Sequence, residues 1–244
     1  MDEILLIMIL LFFGQTLGAL VGLIKKPGKN MMEYSLAFAA AMMCGISFFQ
    51  LIPEAIKIAP IQFMIIGIII GILLILLIER ILPHVHPELC NKLHFNHLKC
   101  VVMLITGMSL HNIIEGLAVG VSFVLSPALG SIIALAIAVQ DIPENIAAIM
   151  PTYALTKNKL KAFGIICLTT LFELAGFVIG YFFLKNLGNE YIGIALGAAA
   201  GIMIFISTHE LIPGAEMKKD TRKKLIIMIL GLITVILFGI FFKA

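Results

Sequence analysis

Residues 61–78 read IQFMIIGIIIGILLILLI, an apolar run without a single charge. A helix needs roughly 20 such residues to cross a hydrocarbon core of about 30 Å. The run lacks strand-like alternation, and lipid leaves every backbone group to be satisfied within its own segment, so a helix is favoured over a barrel strand. Outward from this stretch, seven more runs of the same kind fill the chain. The predicted spans lie approximately at 4–24, 34–56, 60–82, 100–125, 127–153, 162–184, 191–215 and 223–242. Composition agrees: the 244 residues are 61% hydrophobic and 13% charged, with mean hydropathy +1.12, whereas soluble domains carry about 25% charged and under about 50% apolar residues. The longest relatively polar stretch, from Glu79 to Lys99, falls short of the roughly 50 residues an independent domain needs. A soluble protein, or one with a single anchor, is excluded. The expectation is an all-α polytopic membrane protein, one transmembrane domain over residues 1–244, with a His-containing loop at 83–99 between helices 3 and 4. The first span opens on Asp2 and Glu3 instead of a basic region, so it reads as a retained helix and not a signal peptide.

Charge placement orients the bundle. Of 17 Lys and Arg residues, 14 fall in the loops after helices 1, 3, 5 and 7; Lys57, Lys185 and Lys243 lie on the other side. Cytoplasmic loops carry the Lys/Arg excess. Both termini are therefore expected outside the cell membrane, and an even number of spans agrees in placing them on one side.

Six carboxylates fall inside the predicted spans: Glu54, Glu115, Asp141, Glu144, Glu173 and Glu210. A charge at the bilayer centre costs about 2.5 to 3.5 kcal/mol on insertion scales, and no Lys or Arg sits at matching depth. On helix 4, His111 and Glu115 are i, i+4 and Asn112 and Glu115 i, i+3; on helix 5, Gln140 and Glu144 are i, i+4 and Asp141 and Glu144 i, i+3. Each helix thus presents two adjacent polar residues and, one turn on, a carboxylate on the same face. At 1.5 Å per residue, His111 lies roughly 16 Å into its helix, Gln140 about 20 Å and Glu173 about 16 Å, all near mid-span. Face to face, the two helices can form neighbouring sites that share Glu115 and Glu144. One draws on His111 and Gln140, the other on Asn112, Asp141 and Glu173. Imidazole nitrogen with carboxylate and amide oxygen suits Zn, Fe, Mn or Cd, and the oxygen-only neighbour is harder. A single intramembrane His or Asn is as often an interhelical hydrogen-bond residue as a ligand, and one carboxylate can be a proton relay. Four mid-span carboxylates on three helices exceed what packing requires.

These residues resemble the ZIP family of divalent-metal transporters. The resemblance rests on His111-Asn112-Ile113-Ile114-Glu115-Gly116, Gln140-Asp141-Ile142-Pro143-Glu144-Asn145, Ser47-Phe48-Phe49-Gln50-Leu51-Ile52-Pro53-Glu54-Ala55, Glu173 within Leu171-Phe172-Glu173-Leu174, and His209-Glu210-Leu211-Ile212-Pro213. It implies eight helices, extracellular termini and a midplane metal site that Met43 of helix 2 joins. It also implies sliding of helices 1, 4, 5 and 6 against 2, 3, 7 and 8. The chain departs from the family pattern at Ile114, where Pro is usual, and at Gln140 and Asn145, where His and Gly are frequent. A Gln-Asp opening on helix 5 resembles the members with two adjacent metal subsites.

Other features keep two readings each. Pro143 frees the carbonyl of Val139, as a ligand or cavity lining or as a packing kink. Leu51-Ile52-Pro53-Glu54-Ala55 is echoed by Leu211-Ile212-Pro213-Gly214-Ala215, which suggests a 3+2+3 arrangement with repeat-related outer bundles around helices 4 and 5. Gln50 and Glu54 are then expected toward the outer mouth, and His209 and Glu210 toward the cytoplasmic exit, unless they only satisfy helix ends. Gly14, Gly18 and Gly22, and Gly193, Gly197 and Gly201, recur every four residues, for close packing or as a smooth sliding face. His84, His86, His94 and His97, near Cys90 and Cys100, do not have zinc-finger spacing; they collect metal or are simply solvated.

The function expected is import of divalent cations, zinc foremost with Cd, Fe and Mn as others, by alternating exposure of the midplane site. The metal is substrate. No organic cofactor, nucleotide-binding segment or nucleic-acid partner is expected, the bilayer is the surroundings, and a homodimer is compatible. The competing readings are a membrane di-metal carboxylate enzyme, against which only His111 is available mid-span, and a metal sensor that does not transport.

Overall fold

The computed structural model describes residues 2–81 and 97–241. Among these residues there is no strand, and eight helices are long and apolar enough to cross a membrane. They are α1 (Asp2–Lys25), α2 (Lys29–Ile58), α3 (Ile61–Ile81), α4 (His97–Leu125), α5 (Pro127–Thr156), α6 (Lys159–Leu184), α7 (Asn189–Gly214) and α8 (Thr221–Phe241). His84, His86 and His94, with most of the expected 83–99 loop, lie outside the described residues. His97 instead opens α4, so the last residues of that loop are helical.

Local chemistry sets the connections. Ser126 caps α5 by accepting a bond from the Leu129 amide at 3.4 Å, ahead of Pro127, whose missing N–H costs nothing in the first turn. Asn158 Oδ1 accepts from the Lys161 amide at 3.0 Å and caps α6. Lys26 (φ 49°) and Lys157 (φ 54°) make left-handed turns after α1 and α5. Links this short force consecutive helices to run antiparallel.

α2 begins at Lys29, earlier than apolarity alone predicts, because its charged first turn finds partners. Lys224 of α8 is fully buried and donates to Glu33 Oε2 at 2.6 Å and to the Glu216 carbonyl at 2.8 Å. Lys29 pairs with Glu216 at 2.6 Å, and its ammonium holds that carboxyl below the usual carboxylate range. This cluster ties together the ends of α2, α7 and α8.

The tightest helix pairs are α4 with α6, α1 with α5 and α3 with α7, followed by α2 with α7 and α2 with α8. Glycine makes them tight. A Cβ on Gly14 or Gly18 would strike the carbonyls of Ala138 or Ile142 in α5; one on Gly116 would strike the Glu173 carbonyl in α6, and one on Gly176 the Ile113 carbonyl in α4. Gly67 and Gly71 of α3 meet Ile194 and Ala198, while Gly197 and Gly201 of α7 meet Met64 and Ile68. The glycine stripes therefore clamp α1 to α5 and α7 to α3. Neither stripe lies between the group α1, α4, α5, α6 and the group α2, α3, α7, α8. Both stripes are faces of close packing in this structure.

Exchanging α1 with α6, α2 with α7, α3 with α8 and α4 with α5 maps the α1–α5 contact onto α6–α4, α3–α7 onto α8–α2, and α2–α5 onto α7–α4. The echo in sequence has a local counterpart. α2 and α7 each widen into a five-residue π-turn, Ser47–Leu51 and Ser207–Leu211, just ahead of Pro53 and Pro213. In an α-helix each proline would orphan the carbonyl four residues before it, and a π-turn is a common local adjustment. By contrast, α5 runs on as helix through Pro143 and Pro151. In α5 and α7, 67% of the most apolar window is buried, against 17% in α8. The interior is thus built by α2, α4, α5 and α7, and α8 turns most of its surface outward.

Candidate metal centre

α4 and α5 are both helical at the site, so the i, i+4 spacing brings each polar pair to one face. His111 Nε2 lies 3.2 Å from Glu115 Oε1 and 3.2 Å from Glu144 Oε1. Gln140 Nε2 donates to Glu115 Oε1 at 2.5 Å and to Glu144 Oε2 at 3.2 Å. One ligand atom each from His111, Glu115 and Glu144 falls within 4.8 Å of the others. His111, Glu115 and Gln140 are buried, and Glu144 is partly so, its side chain 14% exposed.

The polarity of this cluster is one-sided. His111 Nε2 approaches both carboxylates without hydrogen-bond geometry, and Glu115 Oε2, Gln140 Oε1, Asp141 Oδ2 and Glu173 Oε1 are buried with no hydrogen-bond partner. A buried unsatisfied polar atom costs about 1 to 3 kcal/mol, and native interiors rarely keep even one unexplained. Among the described residues no Lys or Arg pairs with these carboxylates. Carboxylates gathered with an imidazole nitrogen, with no cationic side chain paired to them among the described residues and some of their oxygens left without a donor, have the chemistry of a cation site, and imidazole with carboxylate suits a borderline divalent ion.

A second set of contacts adjoins the first. Asn112 Nδ2 donates to Gln15 Oε1 at 3.0 Å, and Gln15 Nε2 donates to Glu173 Oε2 at 2.5 Å. The single Thr170 hydroxyl proton has two acceptors in reach, Gln15 Oε1 at 2.8 Å and the Ile166 carbonyl at 3.0 Å. Asp141 is buried in the field of Glu173, Glu115 and Glu144. So the structure brings His111, Glu115, Gln140 and Glu144 together directly, and links Asn112 to Glu173 through α1. Gln15 and Thr170 were missed by the sequence reading. The signal existed: Gln15 is an amide with apolar flanks near mid-span of helix 1, and Thr170 stands three residues before Glu173.

The remaining expected residues make other contacts. Met43 is fully buried in the apolar core, its carbonyl accepting from Ser47 Oγ at 3.0 Å. Gln50 is buried within the α2 π-turn with both ends of its amide unpartnered. Glu54 pairs with Lys57 at 3.0 Å. His209 is exposed and stacks on Phe205 with ring centroids 4.1 Å apart, with Nδ1 3.3 Å from the Phe205 carbonyl. Glu210 is half-buried in the same π-turn.

Fold and site together define a polytopic helical membrane protein with a buried cation centre between adjacent helices. Comparison with known proteins makes the class specific. Residues 94–239 match the family model described as "ZIP Zinc transporter". The "Zinc transporter ZupT" of Salmonella paratyphi A is 35% identical over 210 residues, covering 82% of this chain and 81% of that protein. The protein of that name from Salmonella newport (strain SL254) is 34% identical with the same coverage. The chain belongs to the ZIP family. It is a multi-pass membrane protein, and that membership sets it among transporters and not among di-metal enzymes.

Proposed function

We propose that this protein carries divalent transition-metal cations, zinc foremost and Cd, Fe and Mn among the others, across the cell membrane into the cytoplasm. The observation that carries the reading is the convergence of His111 Nε2 with one carboxylate oxygen each of Glu115 and Glu144 inside an apolar bundle. His111, Glu115, Gln140 and Glu144, with Met43, form one subsite. Asn112, Asp141 and Glu173 form a harder, oxygen-only neighbour, and Glu115 and Glu144 bridge the two. Two ions in adjacent subsites let an arriving cation weaken the hold on its neighbour, which favours release over trapping.

Transport then requires the centre to open to one face at a time. The groups α1, α4, α5, α6 and α2, α3, α7, α8 move as two bodies. What supports this is that the glycine contacts too close for a side chain fall within each group, so each resists internal shear more than the boundary does. The resident group on α1, α4, α5 and α6 carries every ligand but Met43. Gln50 and Glu54 serve the outer mouth, and His209 and Glu210 the cytoplasmic exit.

Uptake of Zn, Cd, Fe and Mn into proteoliposomes tests the reading. Glu144→Ala and His111→Ala should each lower the rate at least about tenfold, the effect of removing one charged ligand from a buried site. Undiminished uptake in both variants would sink the midplane model.

A further inference from the structure

We infer that Gln15 is the positioning residue of the oxygen-only subsite, holding Glu173 and Asn112 so that each presents one oxygen to the cation. The inference rests on the two-subsite reading above and assigns a role on α1, a helix that supplies none of the ligands. Gln15 is fully buried. With Glu173 ionised, as a cation ligand is, its three polar neighbours settle which way the amide points, because only one assignment then gives the carboxylate a donor. Nε2 must face the Glu173 carboxylate at 2.5 Å, and Oε1 must face the Asn112 amide at 3.0 Å and the Thr170 hydroxyl at 2.8 Å.

This wiring divides the work of each ligand. Glu173 has Oε2 engaged by Gln15 and Oε1 buried without a partner. One oxygen is anchored and the other is available, the arrangement that outer-shell partners impose on ligating carboxylates. Asn112 gives its Nδ2 to Gln15, so its carbonyl end points away from that bond. An amide is suited to the task because it can donate to the carboxylate while accepting from Asn112 and Thr170, without adding charge to a site that already holds four acids. The backbone fixes where Gln15 sits: Gly14, its neighbour, rests against the Ala138 carbonyl of α5, and Gly18 against that of Ile142. α1 is thereby held one turn from Asp141, and Gln15 reaches across to α4 and α6.

The test is equilibrium binding of Cd and Zn to the full-length detergent-solubilised protein by calorimetry, for the parent, Gln15→Leu, Thr170→Val and Glu144→Ala. The parent should take two equivalents. Gln15→Leu, close in volume and unable to hydrogen-bond, should weaken one equivalent about tenfold or more, as losing a bond to a charged group implies, and leave the other within about twofold. Thr170→Val should weaken the same equivalent by a smaller factor, and it carries the test if Gln15→Leu does not fold. In the Glu173→Gln background the Gln15→Leu effect should largely disappear, since the carboxylate it acts through is gone. A parent that binds two equivalents with Gln15→Leu and Thr170→Val unchanged overturns the role of Gln15 alone. Equal weakening of both equivalents also overturns it, because it marks a general structural part. A parent that binds one equivalent, or is indifferent to Glu144→Ala, overturns the two-subsite reading beneath it.

Discussion

A buried carboxylate is expensive wherever it has no partner, and the chain resolves that cost in two opposite ways. At the end of α2, Glu33 is matched by the buried Lys224 at 2.6 Å. Removing one partner of such a pair strands the other charge and costs about 3 to 5 kcal/mol. Lys224→Met should therefore lower the thermal midpoint in detergent clearly, and Glu33→Gln combined with it should recover most of the loss. A double variant no more stable than the single one would show that the pair is not what holds these helix ends. Near the centre of α4, α5 and α6 the acids have no lysine or arginine paired to them among the described residues, and one ligand atom each of His111, Glu115 and Glu144 gathers within 4.8 Å of the others. In the proposed two-subsite centre Asp141 belongs to one subsite only, whereas Glu144 bridges both. Asp141→Ala should reduce uptake severalfold and shift the preference among Zn, Cd and Mn, with a milder loss than Glu144→Ala in the same assay. Equal losses would argue against separate subsites.

At the scale of the helix, glycine placement decides which pairs act as one body. Gly116 lies one residue after the proposed ligand Glu115, and a Cβ there would collide with the Glu173 backbone carbonyl. Backbone cannot rotate away as a side chain can, so α4 and α6 must part. Gly116→Ala should destabilise the protein by about 1 to 3 kcal/mol, the usual cost of overpacking, and lower metal uptake at the same time, because the two helices carry His111, Glu115 and Glu173. Gly188→Ala, where a Cβ meets nothing within 4 Å, is the control and should change neither quantity. Thermal melting and uptake measured side by side check both. The two π-turns are the other device at this scale. Each precedes a Leu-Ile-Pro segment, and the five-residue echo visible in the sequence becomes a matched pair of backbone features in α2 and α7.

At the scale of the molecule, orientation rests on charge. With 14 of 17 Lys and Arg residues after the odd-numbered helices, those ends should face the cytoplasm. With Cys90 and Cys100 replaced by Ser, a cysteine placed at Asn186 should react with an impermeant thiol reagent added to intact cells. One placed at Lys157 should react only after the membrane is opened. The reverse pattern would invert the proposed direction of import. The exchange of helix contacts that maps α1–α5 onto α6–α4 and α3–α7 onto α8–α2 relates the two halves of the bundle, which suits the proposed opening of the centre to each side in turn.

The sequence alone determined the eight apolar spans and the helical faces on which His111, Glu115, Gln140 and Glu144 meet, and it set the expectations for sidedness and for depth in the membrane. Each is a property of one segment: its length, its helical period and its distance from the membrane surface. What it left open was lateral: which helices the glycine stripes pack against, and what Gln15, Thr170 and Lys224 touch. Only the tertiary structure decided these. Gly14 and Gly18 face α5, Gly197 and Gly201 face α3, and Gln15 reaches residues 97 and 158 positions away in the chain. In a bilayer, apolar helices gain little from any one neighbour over another or over lipid, so hydropathy carries no record of which faces pair. Close backbone approach and the need to satisfy buried polar groups make that choice, and both exist only once the helices are side by side.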